Sequence, residues 1–258
     1  MKRIFALMLA LLLLCTLVSC GNRDDEDDEP TDLIVVSEKQ TTTMGAYKDC
    51  YEYEIINGNE VAIIGFSSDY DLHEIKIPDK IEDCFVVEIA DGAFYQCSQL
   101  TGVTVPATVK KIGSMAFAGC VQLENVSFAD SAIVRLTSIG DYAFSKCVAL
   151  ESIELPETLT SLGAGAFYEC SALELAVLPD GITEIKAMTF MGCTDLVAAA
   201  SSNAASIGDY AFCGCTALET VNIPAGVLKS IGKYGFSGCK KIPVINDPEI
   251  ECGEYAFS

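Results

Sequence analysis

Cysteines are the residues of this chain most able to do chemistry, because 13 of its 258 residues are Cys. In an exported protein such a number normally indicates disulfides, and clustered Cys can also bind zinc. Seven of them share one position of a sequence repeat, namely Cys97, Cys120, Cys147, Cys170, Cys193, Cys215 and Cys239. On neighbouring coils these side chains should lie about 4.8 Å apart, where the disulfide dihedral angle is rarely reached. We therefore predict a buried ladder of free thiols.

The other residues suited to catalysis or metal binding are few. Cys213 lies outside the ladder and is the thiol expected to be reactive, while Cys213-Gly214-Cys215 is too tight for a zinc site. The single histidine, His73, excludes most Ser-His-Asp, Cys-His and His-metal sites and is expected on the surface before the first strand of the repeats. The sequence thus predicts no catalytic residue, no metal site and no cofactor.

Acidic residues are abundant, with 37 Asp and Glu against 16 Lys and Arg and a net charge of −21. Carboxylate pairs for glycoside cleavage are arithmetically possible, but acids at strand ends and turns are ordinarily there for solvation. The repeated glycines follow a core Ile and form no phosphate-binding loop. Because the charge repels nucleic acid and anionic membranes, we predict no nucleic-acid partner. Because these residues form no catalytic motif, we also predict no enzymatic activity.

A Phe-x-x-Cys block, usually preceded by Ala, recurs along the chain and indicates the fold. Its steps are 23, 27, 23, 23, 22, 24 and 21 residues, and its Phe residues are Phe94, Phe117, Phe144, Phe167, Phe190, Phe212, Phe236 and Phe257. Each unit is too small to bury its own apolar face, so the units must stack as a solenoid. The sequence predicts an extended surface rather than a deep cleft.

Within each unit the pattern Leu-x-x-Φ-x-Φ-Pro, where Φ is apolar, precedes the Phe-x-x-Cys block. The alternation predicts one short parallel strand per coil, which the Pro ends because it lacks an N–H. We expect a helical or 3₁₀ turn at Ala-Phe-x-x-Cys, hence an α/β class with about eight coils over residues 72–258. Residues 198–206 carry Ala, Ser and Asn in place of the apolar and Pro positions, and this coil is expected to be the softest. The last unit stops at Ser258 without a polar cap, so either a neighbour covers its edge or the chain is truncated.

The N-terminal segments predict export and anchoring. Lys2 and Arg3, an apolar run and Leu17-Val18-Ser19-Cys20 resemble a lipoprotein signal, with residues 1–19 as signal peptide and Cys20 as the lipidated residue. A plain secretory peptide is the alternative. Residues 20–46 are expected to be a tether, in which six consecutive acids resemble the export signal of Bacteroidetes lipoproteins; calcium binding is a weaker reading, since the EF-hand spacing is missing. Residues 47–71 predict a capping β-hairpin with a turn at Asn57-Gly58.

This repeat pattern resembles the BspA-like leucine-rich repeat family, whose members are commonly bacterial surface proteins. The resemblance implies a right-handed leucine-rich-repeat solenoid, a location at the outer membrane and the cell surface, and a role in adhesion to host matrix or cell-surface proteins. It implies no catalytic motif. Membrane contact is expected through the lipid anchor only.

The outward side of the strands is the candidate binding surface. It is almost uncharged and partly apolar in a very acidic chain, and exposed apolar patches often mark contacts. The candidate ligand-binding residues are Ser152, Glu154, Leu175, Val177, Ala198, Ala200, Thr220 and Asn222. A register error of one residue would turn these side chains inward instead.

A row of tyrosines before the repeated Phe is the secondary candidate, since aromatic rows can stack on sugars or proteins. Its members are Tyr142, Tyr210, Tyr234 and Tyr255. The sequence therefore favours an adhesin that binds a protein through its strand face, and the alternative is a surface lipoprotein that captures glycans for nutrient uptake. The chain has no Trp, which disfavours the glycan role.

Overall fold

The computed structural model describes residues 33–37, 40–44, 51–66, 73–129, 134–245 and 247–258. The first two strands, β1 (Leu33–Ser37) and β2 (Gln40–Met44), pair antiparallel within the range expected to be a tether. A second antiparallel hairpin, β3 (Tyr51–Asn57) and β4 (Glu60–Phe66), lies where a capping hairpin was predicted. Its turn is at Gly58 and Asn59 rather than at Asn57-Gly58, because Gly58 takes the positive φ, 55°, as the first central residue.

Each regular coil contributes one strand to a first row, here called the longer strands, and one strand to a second row, which has two residues in every coil except that of β7. The longer strands are β5 (Glu74–Lys76), β8 (Gly102–Val105), β10 (Asn125–Phe128), β13 (Leu175–Leu178), β15 (Ala198–Ser201) and β17 (Thr220–Asn222). The second row comprises β7 (Cys84–Ile89), β9 (Lys111–Ile112), β11 (Ser138–Ile139), β12 (Ser161–Leu162), β14 (Glu184–Ile185), β16 (Ser206–Ile207), β18 (Ser230–Ile231) and β19 (Glu251–Cys252). A further strand, β6 (Lys80–Ile81), pairs antiparallel with β7. The described coils thus form the predicted solenoid of short parallel strands.

Pairing along the solenoid is interrupted at one coil. The longer strands form two sheets, β10-β8-β5 and β13-β15-β17, and the second row forms β12-β11-β9-β7-β4-β3 and β14-β16-β18-β19. Between the two sheets of longer strands, residues 152–155 form no strand. The interruption is therefore not at the coil that departs most from the repeat, because β15 and β16 of that coil pair on both sides.

The core is a stack of phenylalanines with a ladder of thiols beside it. Phe rings of successive coils from Phe94 to Phe257 lie nearly parallel, with centroids 4.9 to 5.6 Å apart. Six of the Cys thiols donate to the carbonyl oxygen of the Phe one coil earlier, at 3.0 to 3.3 Å. All cysteines in the described residues are free thiols, as the repeat predicted.

The Phe-x-x-Cys blocks are tight turns, not the expected helical turns, and the described residues contain no helix. The residue two before Phe and the residue two after it both take positive φ in most coils, as Tyr142 (56°) and Lys146 (61°) do around Phe144. A right-handed helix requires φ near −60°, so it cannot pass through either position. With no helix among the described residues, none of them forms an apolar helix long enough to cross a bilayer.

Candidate functional site

The outward residues of β13 are exposed, as the predicted register requires. The side chains of Leu175 and Val177 are 48% and 54% exposed, while Ala176 and Leu178, which alternate with them along the strand, are buried. Successive residues of a strand point to opposite faces, so this alternation excludes the one-residue slip. The apolar pair is therefore on the surface of the solenoid.

Strand pairing places the candidate residues of three coils side by side. Leu175 is in register with Ala198, which is in register with Thr220. Val177 is likewise in register with Ala200, and Ala200 with Asn222. We call these six residues the strand-face patch. Ser152 and Glu154 are also exposed, but they lie on the segment that forms no strand.

A groove of about 350 Å³ opens beside the strand-face patch. It is lined by Val177, Leu178, Ala200, Ser201, Ser202, Asn222, Ile223 and Pro224. The groove follows from the irregular sequence of the middle coil, because Ser202 stands where the flanking coils have Pro179 and Pro224. Small residues at this place leave space between two larger neighbours.

The same coil replaces a backbone turn with side-chain hydrogen bonds. The buried Ser201 hydroxyl accepts the N–H of Ala204 at 3.1 Å. In the preceding coil the N–H of Ile182 instead donates to the carbonyl of Pro179 at 3.0 Å. Asn203 also donates its side-chain amide to the carbonyl of Asp180 at 2.8 Å. These two side-chain hydrogen bonds thus stabilise the turn that follows β15.

Sequence reasoning found the strand-face patch but missed the groove. Its floor and far wall include residues that were not among the candidates, namely Leu178, Ser201, Ser202, Ile223 and Pro224. The signal was present in the departure of residues 198–206 from the repeat, which was interpreted as softness. Small residues in one coil between two regular coils also predict a depression.

The charges around the patch are almost all negative. From Cys147 to Leu228 the only cation in the sequence is Lys186, whereas the carboxylates are Glu151, Glu154, Glu157, Glu169, Glu174, Asp180, Glu184, Asp195, Asp209 and Glu219. Of the carboxylates at the ends of the strand-face segments, Glu219 pairs with Lys241 at 2.9 Å. The patch is thus an apolar surface with an acidic border.

The repeats match a family model described as BspA type leucine-rich repeat region, in six copies over residues 87–199 and 198–258. The chain belongs to the BspA-type leucine-rich repeat family. This assignment agrees with the resemblance drawn from the Phe-x-x-Cys units. No curated protein matches the chain.

Solved structures of other bacterial leucine-rich repeat proteins are similar to this BspA-type chain. A T. pallidum leucine-rich repeat protein is 28% identical with a TM-score of 0.67, covering 75% of this chain and 88% of its own. A leucine-rich repeat protein from Bacteroides ovatus is 28% identical with a TM-score of 0.69, covering 81% and 55%. A leucine-rich cell surface protein from Faecalibacterium prausnitzii is 26% identical with a TM-score of 0.60, covering 81% and 50%. The chain spans only about half the length of the last two.

The tyrosine row of this BspA-type solenoid is mostly stacked on itself. The ring centroids of Tyr210 and Tyr234 lie 4.9 Å apart, and those of Tyr234 and Tyr255 lie 5.2 Å apart. Tyr142 lies over Gly165 of the next coil, where an added Cβ would be 2.4 Å from the ring, and its hydroxyl reaches the Met188 sulfur at 3.7 Å. In the stack of Tyr210, Tyr234 and Tyr255 the faces of neighbouring rings therefore contact one another. Tyr255, which is 62% exposed, lies at one end of this stack.

The residues considered for chemistry are dispersed. Within the described ranges no group of three or more His, Cys, Asp or Glu residues is placed to hold a metal ion. Cys213 is half-buried, and burial raises the pKa of its thiol, whereas Cys252 at the end of β19 is exposed. Cys252 is thus the more accessible thiol, contrary to the expectation for Cys213. His73 is exposed just before β5, as expected, with Nδ1 3.1 Å from the Gln99 carbonyl oxygen.

The predicted signal peptide and the lipidated Cys20 lie outside the described residues. Of the predicted tether, only β1 and β2 are described.

Proposed function

We propose that the protein is a lipid-anchored cell-surface adhesin that binds a host or bacterial surface protein through the strand-face patch. The observation that carries this proposal is the exposure of Leu175 and Val177, in register with Ala198 and Ala200, beside an open groove. Exposing apolar side chains to water is unfavourable in free energy. A partner that covers the strand-face patch removes them from water, which favours binding.

The proposed arrangement needs no chemistry. Cys20 carries the lipid in the outer membrane, residues 21–46 act as the tether, and the strand face of the solenoid binds the protein ligand. Affinity comes from contact area and from many copies on one cell rather than from a deep pocket. The description of one solved relative as a cell surface protein is consistent with this location.

Glycan capture is the alternative that the sequence left open, and the arrangement of the tyrosines supports it less well. Sugar rings stack on free aromatic faces. In the row from Tyr210 to Tyr255 the inner faces are used in ring stacking, which leaves a sugar only the outer faces at the two ends of this stack. A protein partner is favoured because the apolar surface lies on the strands instead.

The test is binding of the full chain, purified in detergent, to matrix proteins, host-cell surfaces and glycans, alongside the double variant Leu175→Glu, Val177→Glu. The matched control is Val121→Glu, Val148→Glu, which adds the same charge at two other exposed valines. Protein binding that is lost only in the first variant, with unchanged melting temperature in both, supports the adhesin. Glycan binding without protein binding would reject it, and equal binding by both variants would exclude the strand-face patch.

A further inference from the structure

We propose that the partner bound by the strand-face patch is a basic protein segment, in which apolar side chains alternate with or are flanked by Lys and Arg. This inference rests on the proposed function and specifies its ligand. It follows from the shape of the groove and from the charge around it, which are separate observations.

The groove is suited to apolar side chains of an extended segment. Its volume of about 350 Å³ is at the small end of the range for enclosed ligand pockets, roughly 300–1,000 Å³, and its lining residues come from three successive coils. Val177, Ala200 and Ile223 supply apolar walls and floor, while Asn222 and Ser202 supply polar side chains at the border. An apolar side chain of a bound peptide can occupy the groove. The peptide backbone then lies across the coils and shields that side chain from water.

The negative charge around the strand-face patch determines which residues should flank the apolar residue of the bound segment. Glu174 directly precedes Leu175, Asp180 follows β13 by two residues, and Glu151 and Glu154 lie on the preceding coil. All four carboxylates are exposed, and none has an ion-pair partner among the described residues. These carboxylates repel an acidic segment. They attract Lys or Arg side chains next to the bound apolar residue and accelerate the approach of the segment.

Neither Lys186 nor Lys241 neutralises that border. Lys186 follows β14, in the other row of strands, and Lys241 is already paired with Glu219. The four carboxylates around the strand-face patch therefore present negative charge to solvent. A partner with Lys or Arg side chains can form ion pairs with them.

The test uses four sets of synthetic 12-residue peptides and the full chain purified in detergent. The first set carries Leu, Ile or Val flanked by Lys and Arg; the second and third carry the same apolar residues flanked by Ser or by Asp and Glu; the fourth carries Lys and Arg with Gly at the apolar positions. Binding is measured by fluorescence anisotropy at 50 and at 500 mM NaCl.

Two variants separate shape from charge. Ala200→Trp fills the groove, and the triple variant Glu151→Gln, Glu154→Gln, Glu174→Gln removes three border charges without changing their size. The matched control, Glu184→Gln, Glu249→Gln, Glu251→Gln, removes three exposed carboxylates at or near the second row of strands. Melting temperatures verify that each variant is folded.

We expect the first peptide set alone to bind, with affinity about tenfold weaker in Ala200→Trp. The border triple variant should also weaken it about tenfold at 50 mM NaCl, since each exposed pair contributes roughly a factor of two to five. At 500 mM NaCl wild type and triple variant should converge, and the control triple variant should match wild type throughout.

Other results overturn the inference. Equal binding of the Ser-flanked peptides, or no effect of the border triple variant, would exclude a basic partner. If Ala200→Trp still weakens binding in that case, protein recognition by the strand-face patch stands. Unchanged binding by Ala200→Trp would exclude the groove as the binding site and, with it, the strand-face patch as the binding surface. Failure of all four sets at millimolar concentration rejects the ligand class, and the matrix-protein panel then decides separately whether the adhesin proposal stands.

Discussion

The thiol of Cys170 donates a hydrogen bond to the backbone carbonyl of Phe144, one coil earlier, at 3.0 Å. That carbonyl also accepts the N–H of Cys147 within its own coil at 3.2 Å. The thiol ladder therefore joins each coil to its predecessor at a buried place. A disulfide between rungs would remove the S–H that makes this contact.

Replacing Cys170 with Ala should destabilise the solenoid by about 1–2 kcal/mol, because the fully buried sulfur leaves a small cavity and one carbonyl loses a donor. The control is Cys252→Ala, which changes an exposed thiol and should alter the free energy of unfolding by less than about 0.5 kcal/mol. Urea unfolding of the three proteins measures the difference. Similar values for the two variants would show that the ladder is not stabilising.

Alkaline pH should unfold the protein through the same thiols. Burial raises the pKa of Cys147 and of Cys193 from 9.0 to about 12. Because the folded state keeps its protons where the unfolded state loses them, this stabilisation is complete below about pH 9 and is lost progressively as pH rises toward 12. Melting temperatures between pH 7 and 11 should fall more steeply in wild type than in a Cys147→Ala, Cys193→Ala variant. Parallel curves would refute this origin of the alkaline sensitivity.

The solenoid and the outward register were predictable from the sequence because one apolar pattern repeats in every coil. The turn at the Phe-x-x-Cys block was not, although Gly92, Gly119, Gly192, Gly214 and Gly238 hold its positive-φ positions in several coils. Tyr and Met at the same positions elsewhere concealed that requirement, since both residues also favour ordinary conformations. The Ala-Phe-x-x-Cys pattern thus predicts a helical or 3₁₀ turn where the chain forms a turn with two positive-φ residues.

The positive-φ turn predicts an unusual response to glycine. Met115 has φ of 55° with an exposed side chain, so its left-handed conformation costs roughly 1 kcal/mol that Gly would avoid. Met115→Gly should therefore raise the free energy of unfolding by up to about 0.5–1 kcal/mol. Val121→Gly, at an equally exposed turn position without positive φ, should lower it by a similar amount. Chemical unfolding compares the two, and a loss of stability in both would contradict the strain argument.

The interrupted coil shows where the repeat pattern fails as a predictor. Residues 147–170 match the pattern at Leu150, Ile153, Leu155 and Pro156, yet residues 152–155 form no strand. In the following coil Ala176 takes the inward position that Val103, Val126 and Val221 hold elsewhere. Ala199 of β15 is equally small and β15 still pairs on both sides, so the size of this residue alone does not explain the interruption. A gap of about 10 Å³ remains, lined by Ile153, Leu155 and Ala176 among others. A coil's own sequence cannot reveal such a gap beside its neighbour.

Filling that gap should strengthen the junction between the two sheets. Ala176→Val restores a β-branched side chain at a place with unoccupied volume, and we expect a gain of about 0.5–1 kcal/mol in the free energy of unfolding. The control is Ala199→Val, the residue paired with Ala176 in the next strand, which is buried but does not line the gap. Because Ala199 is buried and does not line this gap, the added methyl groups should cost about 1 kcal/mol or more. Urea unfolding together with amide hydrogen exchange at residues 152–155 measures both effects. Equal loss of stability in the two variants would show that the gap does not cause the interruption, whereas slower exchange in Ala176→Val alone would place the cause at Ala176.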